Sequence, residues 1–142
     1  MKKIAIITGT TSGIGKGIVE TLKEEFLIVE ANRPECDLTK PEKIKEFVKK
    51  VIKEHGRIDL LINNAGVGKF DYIEKISEED WDLQYNTNVK GLWLITKEIL
   101  PIIKKQNSGN IINISSMAAE TGFPTGSAYS STKWAVNGFT EN

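Results

Sequence analysis

Short apolar runs alternate along the chain with segments in which apolar residues recur every three or four positions. The runs are typical of buried strands, and the segments are typical of helices that cover a sheet. This alternation favours β-α-β units around a parallel sheet, which is an α/β fold. The predicted strands span residues 3–8, 26–31, 58–63 and 110–115, and the predicted helices span residues 13–25, 41–55, 77 to about 105 with a bend near Pro101, and 127 to the end of the chain.

The connection after the second predicted strand is unusually short, because only residues 32–36 precede Asp37. A parallel crossover needs a dozen or more residues, and five residues span at most about 17 Å. A complete helix and strand therefore do not fit, although residues 36–38 are long enough to pair briefly with the sheet. We expect an open, doubly wound parallel sheet of four main strands.

Composition and charge exclude several classes of protein. The chain has 142 residues, enough for one core, and its 19 basic and 19 acidic residues give a net charge of +0. This balance gives no long-range attraction to nucleic acid or to an anionic membrane. No apolar stretch is long enough for a signal peptide or a membrane span. One cysteine and one histidine fit a cytoplasmic protein without disulfides or a zinc site. We expect one domain over residues 1–142, with no metal, nucleic-acid or membrane partner.

A glycine-rich turn links the first predicted strand to the first predicted helix. Gly9 would permit a tight turn, and Gly13 and Gly15 would let a pyrophosphate approach the helix N-terminus. The spacing is neither G-x-G-x-x-G nor that of a P-loop. Its position between strand and helix favours a nucleotide site, and a glycine turn without a ligand is the alternative.

Tyr129 and Lys133 are four residues apart in the last predicted helix, so their side chains start about 5–6 Å apart on one face. A free phenol titrates near pH 10, so a tyrosine that donates a proton near neutrality needs a positive charge nearby. Such a pair is more often a solvated part of a helix surface. The spacing alone therefore leaves both interpretations open.

Five motifs in order resemble those of the short-chain dehydrogenase/reductase family. They are Thr8-Gly9-Thr10-Thr11-Ser12-Gly13-Ile14-Gly15, Cys36-Asp37-Leu38-Thr39, Asn63-Asn64-Ala65-Gly66, Asn88-Val89-Lys90-Gly91, and Ser116 followed by Tyr129-Ser130-Ser131-Thr132-Lys133. Each motif is weak alone, but five in register are specific and extend over essentially the whole chain. The resemblance implies a Rossmann-like NAD(P)-binding domain, C-terminally incomplete and truncated after the fifth family strand. The family's third strand would be vestigial, with the spatial order 2-1-4-5 in family labels.

The resemblance also implies a reaction, the interconversion of a carbonyl and an alcohol by hydride transfer. Tyr129 would be the general acid/base, and Lys133 would tune it and bind the ribose. Ser116 would hold the substrate carbonyl oxygen, and Asn88 would hold a water of the proton relay. For Ser116 the alternative is an N-cap serine, with Ser115 as a rival for its role, and for Asn88 it is an asparagine tolerated in an exposed helix. The implied cofactor contacts are Gly9, Thr11, Ser12, Gly13, Ile14, Gly15, Asn32, Arg33, Asp37 at the adenine, Leu38, Asn64, Ala65, Gly66, Tyr129 and Lys133.

The choice between NAD(H) and NADP(H) depends on the end of the second strand, where a carboxylate would bind the ribose 2′-hydroxyl. Asn32 occupies that position, and Arg33 after it is able to bind a 2′-phosphate. Glu30 is a candidate NAD ligand but lies two residues, about 6–7 Å, too early. Ser12 stands where many NADP-using relatives carry a basic residue. On balance the sequence favours NADP(H).

The resemblance implies partners as well: a small carbonyl or alcohol substrate, and a second copy of the chain. In relatives, the helices that contain Asn88 and Tyr129 form the subunit contact, which makes Trp93 and Trp134 candidate interface residues. The alternative function is a truncated, catalytically incompetent nucleotide-binding remnant or interaction subunit. It stays open because the strand expected beside residues 110–115 and the substrate lid do not occur in this chain.

Overall fold

Strands and helices alternate in the structure, a computed structural model that describes residues 2–142. A π-helical segment, Asn86–Gly91, joins the third helix to the fourth, and a 3₁₀ turn, Met117–Ala119, precedes the fifth. The strands are β1 (Lys3–Thr8), β2 (Phe26–Ala31), β3 (Leu60–Asn63) and β4 (Asn110–Asn113), and the helices are α1 (Gly13–Leu22), α2 (Pro41–His55), α3 (Glu78–Tyr85), α4 (Leu92–Gln106) and α5 (Ser127–Thr140).

The strands form one parallel sheet in the order β2-β1-β3-β4, which confirms the predicted order. The last residue of β1, Thr8, is in register with Ala31 of β2, and Asn63 of β3 is in register with Asn113 of β4. Because the strands are parallel, their carboxyl ends share one edge, where α/β sheets bind ligands. The loops that carry the predicted site residues leave from this edge.

Alternating side chains along β1 divide the core into two clusters. Ile4 and Ile6 belong to one cluster, and Ala5 and Ile7 belong to the other. Helices α2 and α4 cover the first face, and α1 covers the second. The residues that they contribute are Ile44, Phe47, Val48 and Val51 from α2, Leu94, Ile95, Ile99 and Ile103 from α4, and Ile18, Val19 and Leu22 from α1. Helices on both faces are the doubly wound arrangement that the pattern predicted.

Several predicted boundaries are wrong by a few residues. Helix α1 ends at Leu22, three residues before Glu25, and α5 ends at Thr140, before the end of the chain. Strand β4 stops at Asn113, although the N–H of Ile114 still donates to Asn63 O at 2.9 Å.

Strand β3 begins two residues later than predicted, at Leu60. The Gln106 side chain occupies the backbone groups of Ile58: Oε1 accepts from Ile58 N at 3.0 Å, and Nε2 donates to Ile58 O at 2.7 Å. A side-chain amide thus replaces a neighbouring strand at this residue. Ile58 is nevertheless fully buried, as its apolar pattern indicated.

The long predicted helix is interrupted elsewhere than expected. Helix α4 runs unbroken through Pro101, whereas the departure from α-helical geometry lies at Asn86–Gly91. A π-helical turn holds an extra residue, and such turns are frequent at functional sites. Asn88 lies within this segment.

The brief pairing predicted for residues 36–38 does not form within the described chain. Two turns join β2 to α2 instead, closed by hydrogen bonds from Cys36 N to Asn32 O at 2.8 Å and from Lys40 N to Asp37 O at 3.0 Å. Cys36 and Leu38 are buried and extend the core beside β2. Across residues 2–142, no helix is both long and apolar enough to cross a membrane.

Candidate cofactor and catalytic site

The turn between β1 and α1 is packed against the loop that follows β3. Gly9 has φ +69°, and a Cβ there would lie 2.7 Å from Ala65 Cα. A Cβ at Gly15 would lie 2.1 Å from Gly9 O. Both positions therefore require glycine, because backbone approaches backbone where any side chain would stand. Gly13, with φ +54° and open space around it, needs glycine only for its backbone conformation.

Thr8 and Asn64 join these two turns through four hydrogen bonds. The Thr8 hydroxyl accepts from Asn64 N at 3.0 Å and from Ala65 N at 2.9 Å. Asn64 Nδ2 donates to Thr8 O at 3.0 Å and to Gly9 O at 2.8 Å. Asn64 and Ala65 therefore support the glycine turn from below, and the two turns act as one rigid wall.

An open cleft of about 460 Å³ lies along this wall, across the carboxyl ends of the strands. Its volume is within the range of small-molecule sites. The structure brings most predicted cofactor contacts to it, namely Gly9, Thr11, Ser12, Ile14, Gly15, Asn32, Arg33, Asp37, Leu38, Asn64, Ala65 and Gly66. Gly13 shapes the turn without lining this cleft.

Sequence reasoning missed six residues of the lining. Leu83 and Thr87 are four residues apart and share a helical face, but nothing in the sequence indicated which face meets the cleft. The others directly follow or neighbour predicted contacts. The full set is Ala31, Cys36, Thr39, Val67, Leu83 and Thr87.

The residues at the end of β2 form a small polar network with the glycine turn. Asn32 Oδ1 accepts from Thr10 N at 3.0 Å, and Asn32 Nδ2 donates to Thr10 Oγ1 at 2.7 Å. The Thr10 hydroxyl donates in turn to the Glu30 carboxylate. Glu30 is thus engaged by the turn, whereas Arg33 is exposed on the cleft wall.

Asp37 contributes an ionised carboxylate to the lining of this cleft. Its Oδ1 accepts from Thr39 Oγ1 at 2.7 Å and from Thr39 N at 2.9 Å. The hydrogen bond from the Thr39 hydroxyl is the main cause that lowers the pKa of Asp37. Next to it, burial raises the pKa of the Cys36 thiol to about 12, so the thiol stays protonated at neutral pH and is a poor nucleophile.

A second cleft of about 240 Å³ adjoins the first, because Ile14, Asn64, Gly66 and Val67 line both. Tyr129 and Lys133 line this second cleft together with Gly68, Phe70, Ile114 and Ser115. The predicted glycine turn and the predicted Tyr–Lys pair therefore line two adjoining parts of one continuous cavity.

Lys133 is buried, with 5% of its surface exposed. Its Nζ donates to Ile114 O at 3.0 Å and lies 5.7 Å from the centroid of the Tyr129 ring. Burial lowers the pKa of Lys133, since desolvation disfavours the ammonium. The interpretation of this pair as a solvated helix surface is wrong for Lys133.

Asn88 is 1% exposed, so the alternative of an asparagine in an exposed helix is wrong. Its Oδ1 accepts from Val67 N at 2.8 Å, and its Nδ2 donates to Val67 O at 2.9 Å and to Thr132 Oγ1 at 3.1 Å. Thr132 Oγ1 donates to Tyr129 O at 2.7 Å. The Asn88 side chain thus links the loop after β3 to the helix that carries Tyr129, with both of its N–H groups in use.

The two candidate serines have different surroundings. Ser116 caps the 3₁₀ turn, where its Oγ accepts from Ala118 N at 3.1 Å. Its hydroxyl hydrogen remains available as a donor. Ser115 lines the second cleft, and its Oγ donates to Lys133 O at 3.3 Å. Ser115, the rival candidate, is thus the serine that lines the second cleft with Tyr129 and Lys133.

The described residues fit a dinucleotide. The N-terminus of α1, with Ser12 as its N-cap, offers free backbone N–H groups to a pyrophosphate. Asp37 provides an ionised acceptor in the first cleft, and Lys133 provides a buried cation in the second. A long, bipartite ligand with one reactive end matches this layout.

Comparisons with known proteins agree with this geometry. The family model of the short chain dehydrogenases matches residues 27–142. A 3-oxoacyl-(acyl-carrier-protein) reductase FabG from Thermotoga maritima is 34% identical over 98% of this chain and 65% of its own length. The chain therefore spans about 65% of the length of that relative.

Solved structures show the same fold. The structure of ElxO with NADP bound is 32% identical, with a TM-score of 0.90 over 98% of this chain and 65% of that one. A short chain dehydrogenase/reductase from Burkholderia phymatum in complex with NAD is 26% identical, with a TM-score of 0.93 over 99% of this chain and 58% of that one. From the sheet order, the two clefts and these matches, the chain belongs to the short-chain dehydrogenase family of oxidoreductases.

Proposed function

We propose that this chain is the cofactor-binding, single-domain part of an NAD(P)-dependent enzyme that interconverts a small carbonyl compound and an alcohol. One observation supports this most: a buried ammonium, Lys133 Nζ, lies 5.7 Å from the ring of Tyr129 in a cleft continuous with the glycine turn. A bound nicotinamide would supply or accept the hydride. The residues of the chain would bind, orient and move the proton.

Tyr129 is the proposed proton donor to the carbonyl oxygen. Opposite unit charges attract by about 4 kcal/mol at a separation of about 4 Å and an effective dielectric constant of about 20, and less in proportion as they move apart. Lys133 would therefore stabilise the phenolate that remains after Tyr129 has given its proton. Because Ile114 O already holds Lys133 Nζ, the cation needs little rearrangement during the reaction.

The proposed roles of the other polar residues follow from their contacts. Ser116 would donate its free hydroxyl hydrogen to the substrate carbonyl oxygen, with Ser115 as the competing donor. Asn88 would act by orienting Val67 and Thr132, because its side-chain N–H groups are already used. A relay water in this segment would then bind to backbone carbonyl oxygens, whose usual helical pairing the π-helical geometry alters.

For the cofactor we propose NADP(H) rather than NAD(H). Asn32 carries no charge that would repel a 2′-phosphate, and Arg33 is exposed on the wall of the first cleft. The Glu30 carboxylate is occupied by the Thr10 hydroxyl. Since the similar structures include one with NADP and one with NAD, this preference rests on the residues of this chain.

For the assembly we propose a cytoplasmic homo-oligomer that is joined through α4 and α5. Trp93 on α4 and Trp134 on α5 are both exposed, and aromatic residues are enriched at protein interfaces. A reducing compartment suits the single cysteine, Cys36, which is a free thiol. Sedimentation of the Trp93→Ser, Trp134→Ser double variant tests the contact, since a monomer is expected.

Tyr129→Phe tests the proposed reaction. NADPH binding is measured by fluorescence, and NADPH oxidation is measured with a panel of ketones. Loss of the hydroxyl should lower turnover by about 10²- to 10⁴-fold and leave NADPH affinity within a few-fold. Tyr72→Phe, at an exposed tyrosine, is the matched control. NADPH binding without turnover, unchanged in Tyr129→Phe, would instead support the catalytically incompetent remnant.

A further inference from the structure

Two phenylalanine rings continue the aromatic surface that begins at Tyr129. The Phe70 ring meets Tyr129 edge-on, with centroids 5.5 Å apart and an interplanar angle of 67°. The Phe123 ring lies 5.9 Å from Phe70 at 49°. Both distances are within the range of attractive aromatic contacts. We call Phe70 and Phe123 the aromatic pair.

The aromatic pair remains open to a ligand. Phe70 is 55% exposed and Phe123 is 43% exposed, so neither residue belongs to the buried core. Contiguous exposed apolar surface commonly marks a binding site. Since Phe70 lines the second cleft with Tyr129, this surface adjoins the group proposed to donate the proton.

Each of the two rings packs directly against the backbone of a nearby glycine. A Cβ at Gly68 would lie 2.6 Å from Phe70 Cζ, and a Cβ at Gly126 would lie 2.4 Å from Phe123 Cζ. The backbone therefore passes directly beneath each ring. In addition, Asp71 N donates to Thr125 O at 3.2 Å and ties the two ring-bearing loops together.

Two buried amides hold the loop that carries Phe70. Asn88 binds both backbone groups of Val67, and Gln84 Oε1 accepts from Lys69 N at 3.1 Å. Gln84 and Asn88 are essentially inaccessible to solvent. A ring on a loop fixed this way loses little freedom when a ligand binds, which favours affinity.

The lining of the second cleft is poor in charge. Among the described residues that form it, Lys133 alone is charged, and its ammonium is held by Ile114 O. The other side chains that line it are apolar or neutral. A carboxylate on the substrate would therefore have only the Lys133 ammonium to pair with, and the proposed reaction already needs that cation beside Tyr129, whereas an aryl group would find two rings.

We propose that the aromatic pair receives the apolar substituent of the carbonyl substrate, so that aryl ketones or aldehydes bind in preference to keto acids or polyhydroxylated carbonyls. The inference rests on the proposed function, because it places the substrate carbonyl at Tyr129. Phe70 contacts the substituent beside the reacting group, and Phe123 extends the surface outward.

The test measures ligand binding as well as turnover. Acetophenone, pyruvate and dihydroxyacetone are titrated into the protein saturated with NADP⁺ and followed by saturation-transfer NMR, and their turnover is followed with NADPH. Acetophenone should bind tightest. Phe70→Ala and Phe123→Ala should each weaken it about tenfold, with NADP⁺ affinity unchanged. Tyr72→Ala, an exposed aromatic residue of the same loop, should change it less than twofold.

A second pair of variants keeps the test decisive if the alanine variants fold poorly. Phe70→Leu retains an apolar side chain and should preserve most acetophenone affinity, whereas Phe70→Gln should lose it. Equal affinity for pyruvate and acetophenone, or equal effects of Tyr72→Ala and Phe70→Ala, would overturn the inference and leave the proposed function intact. Failure of the wild-type chain to bind either NADP⁺ or NAD⁺ would overturn the proposed function, and the inference with it.

Discussion

Asn88 binds both backbone groups of Val67, accepting from Val67 N at 2.8 Å and donating to Val67 O at 2.9 Å. Val67 lines both clefts, so this pair of hydrogen bonds fixes the point at which they meet. A third hydrogen bond, from Asn88 Nδ2 to Thr132 Oγ1, extends the link to α5. One buried amide thus positions the cofactor cleft and the Tyr129 helix relative to each other.

Asn88→Ala should destabilise the protein and weaken NADPH binding together. It leaves the partly buried N–H and C=O of Val67 without their partners, which should cost about 1–3 kcal/mol of unfolding free energy in total. Urea denaturation and NADPH fluorescence titration measure the two effects. Asn86→Ala, an exposed residue in the same π-helical segment, is the control and should change neither. Equal losses in both variants would contradict the positioning role of Asn88.

Gly15→Ala should disrupt the glycine turn, because its Cβ would lie 2.1 Å from Gly9 O and 2.5 Å from Asn64 Nδ2. We expect NADPH affinity to fall about tenfold or more, as the turn moves out of place. Gly17→Ala adds the same methyl group two residues further along α1, where a Cβ would have no neighbouring atom within 4 Å. That control should raise the unfolding free energy by about 0.5–1 kcal/mol and keep NADPH binding. Unchanged NADPH binding by Gly15→Ala would argue against phosphate contact at this turn.

Arg33→Ala should change cofactor preference rather than overall affinity. A charge-assisted hydrogen bond to a 2′-phosphate contributes about 1.5–3 kcal/mol, which corresponds to a loss of roughly ten- to 150-fold in NADPH affinity. NADH affinity should stay nearly constant, since NADH lacks that phosphate. Competitive titration of both cofactors measures the ratio, with Lys40→Ala, an exposed cation of the same connection, as control. An equal loss of affinity for NADPH and for NADH would contradict the proposed NADP(H) preference.

Protonation of Asp59 at acidic pH should lower the unfolding free energy. Its carboxylate is buried, which opposes ionisation, but hydrogen bonds from Arg57 and from Ile4 N outweigh burial and lower the pKa of Asp59. Since the pKa is lower in the folded state, the ionised carboxylate stabilises the fold above its unfolded pKa of about 3.9. This contribution is lost as the pH falls through the folded pKa.

Urea denaturation at pH 7, 5, 4 and 3 measures this effect. The unfolding free energy should decline below about pH 4, and the decline should be shallower in Asp59→Asn, whose amide oxygen can still accept from Ile4 N. Asp82→Asn, at an exposed position, is the control. A decline equally shallow in both variants would show that Asp59 is not its source.

The local sequence pattern was sufficient to predict the strands, the helices and the parallel sheet of this protein. The continuous apolar run Ile4-Ala5-Ile6-Ile7 predicted a buried strand, and the length of the connection before Asp37 excluded a full crossover. The strand–turn–helix setting also predicted a tight turn at Gly9 and a close approach at Gly15, although the near neighbours of Gly15 in the structure are Gly9 O and Asn64 Nδ2. Each of these inferences depends on chain geometry or on side-chain periodicity over a few residues, and such properties act within one segment.

Contacts between distant segments were decided by the folded sheet. The Gln106 amide binds the backbone of Ile58 before β3 begins, and the backbone oxygen of Ile114 holds Lys133. Both N–H groups of the Asn88 side chain are used by Val67 and Thr132. The meeting of Phe70 with Phe123 is of the same kind. The contacts of Lys133, Asn88 and Phe70 form because parallel strands bring the loops after β3 and β4 to one edge, whereas Gln106 meets Ile58 at the opposite edge, where β3 and β4 begin. In neither case does the sequence of one segment show which side chains the other segment will present.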